Sequence, residues 1–246
     1  LESLDMLECK GSKIPISTTR SPEDESELFD DEEEKTLYRH CVSVARFMRN
    51  FRPDCNFAVK ALSHGLAQPT RADMNRLKKF AKYLRESSGS GVWFPVGGAI
   101  GEPEVHTDSD WAGDRKTRKS TSHYMITCGG CLLADMAKSQ TVQAQTSAEA
   151  EFYSAASGTS AGMLVYNVLM FFEVPLMGAA LNLDSKSAKA LCNRSGTGGV
   201  RHLEVKTLWI QELVAARRLV TRKVLGTENI ADLGTKGLTQ EVMQKL

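Results

Sequence analysis

The chain has 246 residues, 41% of them hydrophobic and 25% charged, which is enough for one large or two small domains. That composition excludes collagen, coiled coil and wholesale disorder. With 31 basic residues against 30 acidic the formal net charge is only +1, so any affinity for nucleic acid must come from where the charges lie. In chain order, residues 1–36 lack helical or strand periodicity and contain SPEDESELFDDEEEK, a dense acidic run with few apolar side chains to offset the entropy of ordering. This predicts a disordered or loosely attached segment, either a solvated acidic linker or a mimic of nucleic-acid charge that occupies a basic groove. The sequence begins at Leu1 rather than Met, which suggests a fragment or a trimmed chain.

From Leu37 to about Arg49, apolar Leu37, Cys41, Val44, Ala45 and Met48 follow helical spacing, and FRPD ends the helix because Pro53 disfavours an α conformation at Arg52. A second helix is predicted from Cys55 to about Leu66. In QPTRADMNRLKKFAKYLRES, Thr70 suits an N-cap, and Met74, Leu77, Ala81 and Leu84 make one apolar stripe of a third. The opposite face carries Arg71, Lys78, Lys79, Lys82 and Arg85 with a single acid, Asp73. Such a face is either an ordinary solvated surface or a contact for a phosphate backbone, and the near absence of acid favours the second. ESSGSG at 86–91 reads as a short flexible linker, so a domain boundary falls near residue 90.

Beyond the linker, short apolar segments around 92–96, 104–108, 122–128 and 131–136 are separated by turn residues and predict an antiparallel meander. Next come a long helix over about 148–172, a strand AALNL ending at Asp184, a short helix 185–193, a glycine-rich loop SGTGG, a helix over about 203–217, a strand RLVTRKVL and a terminal helix. Strands first, then helix and strand in alternation, predict an α/β fold with a mixed sheet and helices on its faces. The most apolar stretch, MLVYNVLMFFEVPLM at 163–177, is interrupted by Asn167, Glu173 and Pro175 and falls short of the roughly 20 apolar residues of a membrane span. It is expected to be a buried helix that stops before Pro175. The six scattered cysteines read as reduced thiols of an intracellular protein, of cytoplasm or nucleus. Cys128 and Cys131 in CGGC have zinc-like spacing but no partner pair at a suitable distance, so a hairpin turn is the better reading.

Four acids fall near the ends of four elements: Asp108 in the first strand of EVHTDSDWAGD, Glu151 in the first turns of the long helix, Asp184 at the end of LNLD, and Asp232 opening the last helix. Clustered carboxylates repel and raise one another's pKa, so a cluster is costly without a divalent cation. Hard oxygen ligands point to Mg2+. Two such ions about 4 Å apart can activate water and stabilise the leaving oxygen of a phosphodiester.

In order along the chain, HTDSDWAGDRKTRKSTSHYMI, KSQTVQAQTSAEAEFYSA, LNLDSKSAKAL, RHLEVKTLWIQELV and TENIADLGTK resemble the ribonuclease H domain of copia-type retrotransposon polyproteins. The block LYRHCVSVARFMRNFRPDCNFAVKALSHGLAQPTRADMNRLKKFAKYLRES resembles the segment that closes the reverse transcriptase just before that domain. The resemblance implies three parts: an acidic segment 1–36, a helical thumb or connection remnant 37–90, and a ribonuclease H-like domain 92–246, an α/β mixed sheet flanked by helices. It implies hydrolysis of the RNA strand of RNA–DNA hybrids, leaving 3′-hydroxyl and 5′-phosphate ends. Asp108, Glu151, Asp184 and Asp232 would hold two Mg2+ ions, which Mn2+ can replace. The partners implied are the hybrid and the rest of the polyprotein. The paired aspartates of a polymerase palm are absent from these residues, so polymerisation is not expected of them. A rival reading is a non-catalytic nucleic-acid-binding or scaffold module derived from a retrotransposon, and a third is cleavage of DNA or structured RNA on the same fold.

His202 matches a histidine common in the family and would shuttle a proton or assist product release; otherwise it is a helix-start histidine bonded to backbone. Arg115, Lys116, Arg118 and Lys119 lie by the first active-site strand, where phosphate contact is expected, with Lys186 and Lys189 as further candidates. Asp110 shares the sheet face of Asp108 by the period of two, and either supports the site from behind or starts the edge turn. Asp114 is expected to cap that turn. Glu149 and Glu151 lie about 200° apart around the helix and cannot both face the site, so Glu149 is assigned to the helix N-terminus. The chain departs from the family at His123, where Gly is usual, and at LLADMAKSQ, where a Trp-Ser type segment is usual. Both are expected to lie in the meander away from the four acids.

Overall fold

Asp31 accepts a hydrogen bond from the Glu33 amide and starts helix α1 at Glu32, and the acids Glu32, Glu33 and Glu34 in its first turn complement the positive end of the helix dipole. Helix α1 (Glu32–Met48) is followed by α2 (Asn56–Ser63) and α3 (Arg71–Glu86). The computed structural model describes residues 2–16, 28–29, 31–97, 100–114, 117–198, 203 and 207–246. These form two compact units: one of the described residues up to Val92 together with Lys236–Lys245, the other over Trp93–Thr235.

In the helical unit, Tyr38, Val42, Val59, Leu62, Leu77 and Phe80 interlock as a buried core, and the Tyr38 hydroxyl donates to the Leu62 carbonyl at 2.6 Å. Thr70 caps α3 with a reciprocal box: its hydroxyl accepts from the Asp73 amide, and Asp73 accepts from the Thr70 amide. Asp73, the acid expected on the basic face, is therefore buried and spent on the cap and on an ion pair with Arg76 at 2.9 Å. Two expectations about the first segment change. Ile16 and Phe29 are buried in the core of this unit, and residues Glu32–Lys35 are helical, so these parts are not a solvated linker. The last helix, α7 (Gln240–Lys245), groups with the helical unit, where Met243 packs against its core.

The second unit is built on a five-stranded sheet. Strands β1 (Glu104–Asp110), β2 (Thr121–Cys128) and β3 (Cys131–Ser139) form the antiparallel meander, with Cys128 opposite Cys131 across the Gly129–Gly130 turn. All six cysteines of the chain are free thiols. After helix α4 (Ser147–Phe171), strand β4 (Ala179–Leu183) returns parallel to β1; after α5 (Lys186–Asn193) and α6 (Trp209–Ala215), β5 (Leu219–Lys223) runs parallel to β4. The order β3-β2-β1-β4-β5 is the mixed, helix-flanked sheet that the alternation of elements predicts. Residues 92–96 are not a strand, and the unit's first strand is β1.

Helix α4 reaches the sheet closely because of two glycines one turn apart. A Cβ at Gly158 would stand 2.5 Å from Thr107 Cγ2, and one at Gly162 would stand 2.3 Å from Val105 Cγ2. Phe152, Ala155 and Met163 complete the contact with Val105, Tyr124, Ile126 and Leu181. The apolar stretch expected to be buried is only partly so: Met163 is in the core, but Leu164 is 65% exposed and Phe171 80%. Among the described residues no helix is long and apolar enough to cross a membrane.

Candidate active site at the ends of two parallel strands

The register that pairs Thr107 with Leu183 sets the next residues, Asp108 and Asp184, side by side at the carboxyl ends of β1 and β4. The chain leaves these two neighbours for opposite sides of the sheet, β2 and β3 on one side and β5 on the other, and such a switch point leaves a crevice outside the strand ends. Asp232 reaches the same place from a short 3-10 turn, Ile230–Gly234, and not from the start of the last helix as the sequence suggested. Asn229 introduces that turn: its Oδ1 accepts from the Ala231 amide at 3.2 Å, and its Nδ2 donates to the Thr107 carbonyl at 3.0 Å. Thr235 closes it by donating its hydroxyl to Asp108 Oδ2. One carboxylate oxygen from each of Asp108, Asp184 and Asp232 then lies within 4.8 Å of the others.

Glu151 stands beside these three. Its Oε1 accepts from the Ser109 amide at 3.2 Å, while its Oε2 is buried without a hydrogen-bond partner. Burial, reinforced by the charges of Asp108 and Asp184, pushes the Glu151 carboxyl up to about 8. Three converging hard oxygens and an orphaned fourth carboxylate oxygen are a donor set that suits a divalent cation. Position is enforced from beneath by Ser154 of α4, whose hydroxyl lies 2.6 Å from the Asp108 carbonyl and 3.2 Å from that of His123. Glu149 turns the other way, as the helical angle requires: it is buried and accepts from the Gln145 amide at 2.7 Å and the Tyr153 hydroxyl at 2.8 Å.

Asp110 ends β1, and Gly113 leaves the space that its carboxylate fills, so it belongs to the edge turn. Asp114 Oδ1 accepts from the Thr117 amide at 3.2 Å and caps that turn. On the same loop Arg118 is exposed and Lys119 half-buried; Arg115, Lys116 and His202 lie outside the described residues. On α3, Lys78 and Arg85 are exposed and Lys79 and Lys82 half-buried.

His123 does not lie away from the acids. It sits directly opposite Asp108 on β2, fully buried, with its ring against the turn that carries Asp232. His123, Asn229 and Thr235 were not singled out from the sequence as part of the site. Asn229 had a signal, since Asn before a short apolar run is a favoured cap residue. Thr235 and His123 had none that spacing could supply, because their contacts span 127 and 108 residues.

A mixed five-stranded sheet in this order, with acids at the β1–β4 switch point, is the ribonuclease H fold. No protein-family model matches the chain. It is 26% identical over 234 residues, 94% of its length, to the retrovirus-related Pol polyprotein from transposon RE1 of Arabidopsis thaliana, covering 16% of that protein. It is 30% identical over 186 residues, 75% of its length, to the corresponding polyprotein from transposon TNT 1-94 of Nicotiana tabacum, covering 14%. RNase H1 of Halobacterium salinarum NRC-1 shares 14% identity, with 59% of this chain and 100% of that one covered and a TM-score of 0.41; the fold assignment rests on strand order and not on this likeness. The chain is thus similar to retrovirus-related Pol polyproteins of transposons, with the fold of a ribonuclease H region, and spans only about a sixth of the length of these two relatives.

Proposed function

We propose that this region is a divalent-metal-dependent endonuclease that hydrolyses the RNA strand of RNA–DNA hybrids within a retrotransposon polyprotein. The observation that carries the reading is the convergence of Asp108, Asp184 and Asp232, from three elements distant in sequence, with the orphaned Glu151 oxygen beside them. Asp108, Asp184 and Asp232 would hold Mg2+ or Mn2+, and Glu151 would complete the set. When bound, such a cation lowers the pKa of water and offsets charge on a phosphodiester. Asp108 is fixed by Thr235 and by its strand, so the ligand oxygens are held in place before a cation arrives. Glu151, whose carboxyl is pushed up to about 8 by burial and the neighbouring charges, would give up its proton on joining such a set.

The hybrid would be gripped by shape, through 2′-hydroxyls and phosphates in a wide minor groove, with no base readout. Arg118 and Lys119 in the sheet unit, and Lys78, Lys79, Lys82 and Arg85 on α3, are the phosphate contacts proposed here, and Arg115, Lys116 and His202 remain candidates from the sequence. The domain division proposed is a helical remnant of reverse transcriptase over about 37–90, with α7 grouped with it, and a ribonuclease H-like domain from 92 to about 235, with the rest of the polyprotein as partner.

The test is incubation with a labelled RNA–DNA hybrid in Mg2+ or chelator, beside an Asp184→Asn variant and duplex DNA and RNA controls. Metal-dependent cutting of the RNA strand, lost in the variant, is the expected result. Cutting of a duplex control in preference to hybrid reassigns the substrate. Binding without cutting, unchanged in the variant, replaces the enzyme with a binding module.

A further inference from the structure

Behind the acidic cluster lies a buried polar chain to which nothing above gives a task. His123 Nδ1 is 2.7 Å from the Ala231 carbonyl, next to Asp232, and His123 Nε2 is 2.9 Å from Asp135 Oδ1 on β3. A carbonyl oxygen only accepts, so Nδ1 carries the hydrogen and donates. The ring is 0% exposed and the Asp135 side chain 7%, so both bonds are shielded from water. On the other side, a Cβ at Gly234 would stand 2.3 Å from ring atoms Cγ and Cδ2, which means the turn closes flat onto the imidazole.

The turn therefore has three anchors. Asn229 ties its entry to the Thr107 carbonyl, Thr235 ties its exit to the Asp108 carboxylate, and His123 ties down Ala231 between them. Entry and exit fix where the turn is; the middle anchor limits how far the residue beside it can swing. That residue is Asp232, and a buried hydrogen bond with both partners in place resists such motion far better than apolar contact.

We infer that His123 is a positioning residue: braced by Asp135, it clamps the 230–234 turn against the sheet and thereby sets the affinity of the carboxylate cluster for a divalent cation. The effect on the cation rests on the metal reading proposed above; the clamp does not. Partners that orient metal ligands from behind typically change affinity by about 10- to 100-fold when removed. Asp135 acts through the ring, so Asn there, of the same shape and able to donate to or accept from Nε2, preserves the effect.

The experiment compares the parent chain with His123→Asn, Asp135→Ala, Asp135→Asn and Asp184→Asn. Mn2+ affinity is read by the loss of the free-ion paramagnetic signal, and amide exchange of residues 229–235 is read in chelator, after melting curves establish which variants fold. Asn at 123 is too short to span both partners, and Asp135→Ala gives a second route should the first variant fail to fold. The expected outcome is Mn2+ binding weakened about 10-fold or more, and faster exchange in the turn, for His123→Asn and Asp135→Ala, with Asp135→Asn close to the parent. Unchanged exchange in both of the first two variants overturns the clamp. Faster exchange with Mn2+ affinity unchanged, while Asp184→Asn abolishes binding, overturns its control of the metal. If the parent binds no Mn2+, the metal reading fails with that control, and exchange alone decides the clamp.

Discussion

Burial and the neighbouring charges of Asp108 and Asp184 push Glu151 up to about 8, so without a cation this residue binds its proton more tightly in the folded chain than in the unfolded one. The sign of the linkage follows: its contribution to stability is fully present below the ordinary carboxylate value of 4.5 and is lost as pH rises through about 8. Glu151→Gln mimics the protonated form permanently. In chelator, the variant should melt with the parent near pH 5 and above it at pH 8, by about 2–4 kcal/mol or roughly 4–12 °C. Saturating Mg2+ should reverse the order at pH 8, since the cation stabilises the carboxylate that Gln cannot supply. Melting curves at the two pH values, with and without metal, check it; a gap independent of pH refutes the assignment. Thr235 shows why such a site needs support as well as ligands: its hydroxyl gives buried Asp108 a donor on one carboxylate oxygen.

Between residues and fold stands the contact of α4 with the sheet, which decides how far Glu151 lies from Asp108. Gly158 and Gly162 permit it, and at Gly158 the neighbours are Thr107 Cγ2 and Tyr124 Cβ, the second fixed directly to backbone. Gly158→Ala should lift the helix, cost about 1–3 kcal/mol despite the better helix propensity of Ala, and reduce hybrid cleavage more than Asp110→Ala does. Melting and single-turnover cleavage of the two variants check it. Much of this element scale was readable in the sequence. The turn-separated apolar segments of β1 and β2, the cap at Thr70 and the order of the four acids all reflect local chemistry, and the sheet followed from them. The errors have physical causes. The acids at 32–34 read as linker because acidic runs resist burial, yet at a helix start they are stabilising and need no burial. Residues 92–96 are apolar without forming a strand, since a short apolar run does not by itself name a partner. Hydrophobicity points the 163–177 stretch to the interior, but Leu164, Phe171 and Met177 are exposed, because burial depends on packing that composition does not encode. His123 is not away from the acids, because strand register, not sequence separation, sets it opposite Asp108.

At the scale of the whole chain, a net charge of +1 conceals an uneven distribution: the exposed surface of α3 carries Arg71, Lys78 and Arg85, while its one internal acid, Asp73, is turned inward onto the cap and Arg76. If that surface tracks a phosphate backbone, each cation that meets a phosphate releases a condensed counterion, and the logarithm of affinity falls with the logarithm of salt by about 0.9 per contact. Lys78→Ala combined with Arg85→Ala should then shallow the salt dependence of hybrid binding by up to about 1.8, similarly for hybrids of unrelated sequence, and leave cleavage at saturating hybrid unchanged. Arg118→Ala should also shallow the slope, by about 0.9, because its loop follows the strand that carries Asp108. Binding measured from about 50 to 200 mM salt separates the two surfaces. A slope altered by Arg118→Ala and untouched by the α3 pair makes α3 a solvated face and confines recognition to the sheet unit. A slope altered by both makes the helical unit part of the nucleic-acid grip, with a reason to stay joined to the ribonuclease H fold after the carboxylates alone could do the chemistry.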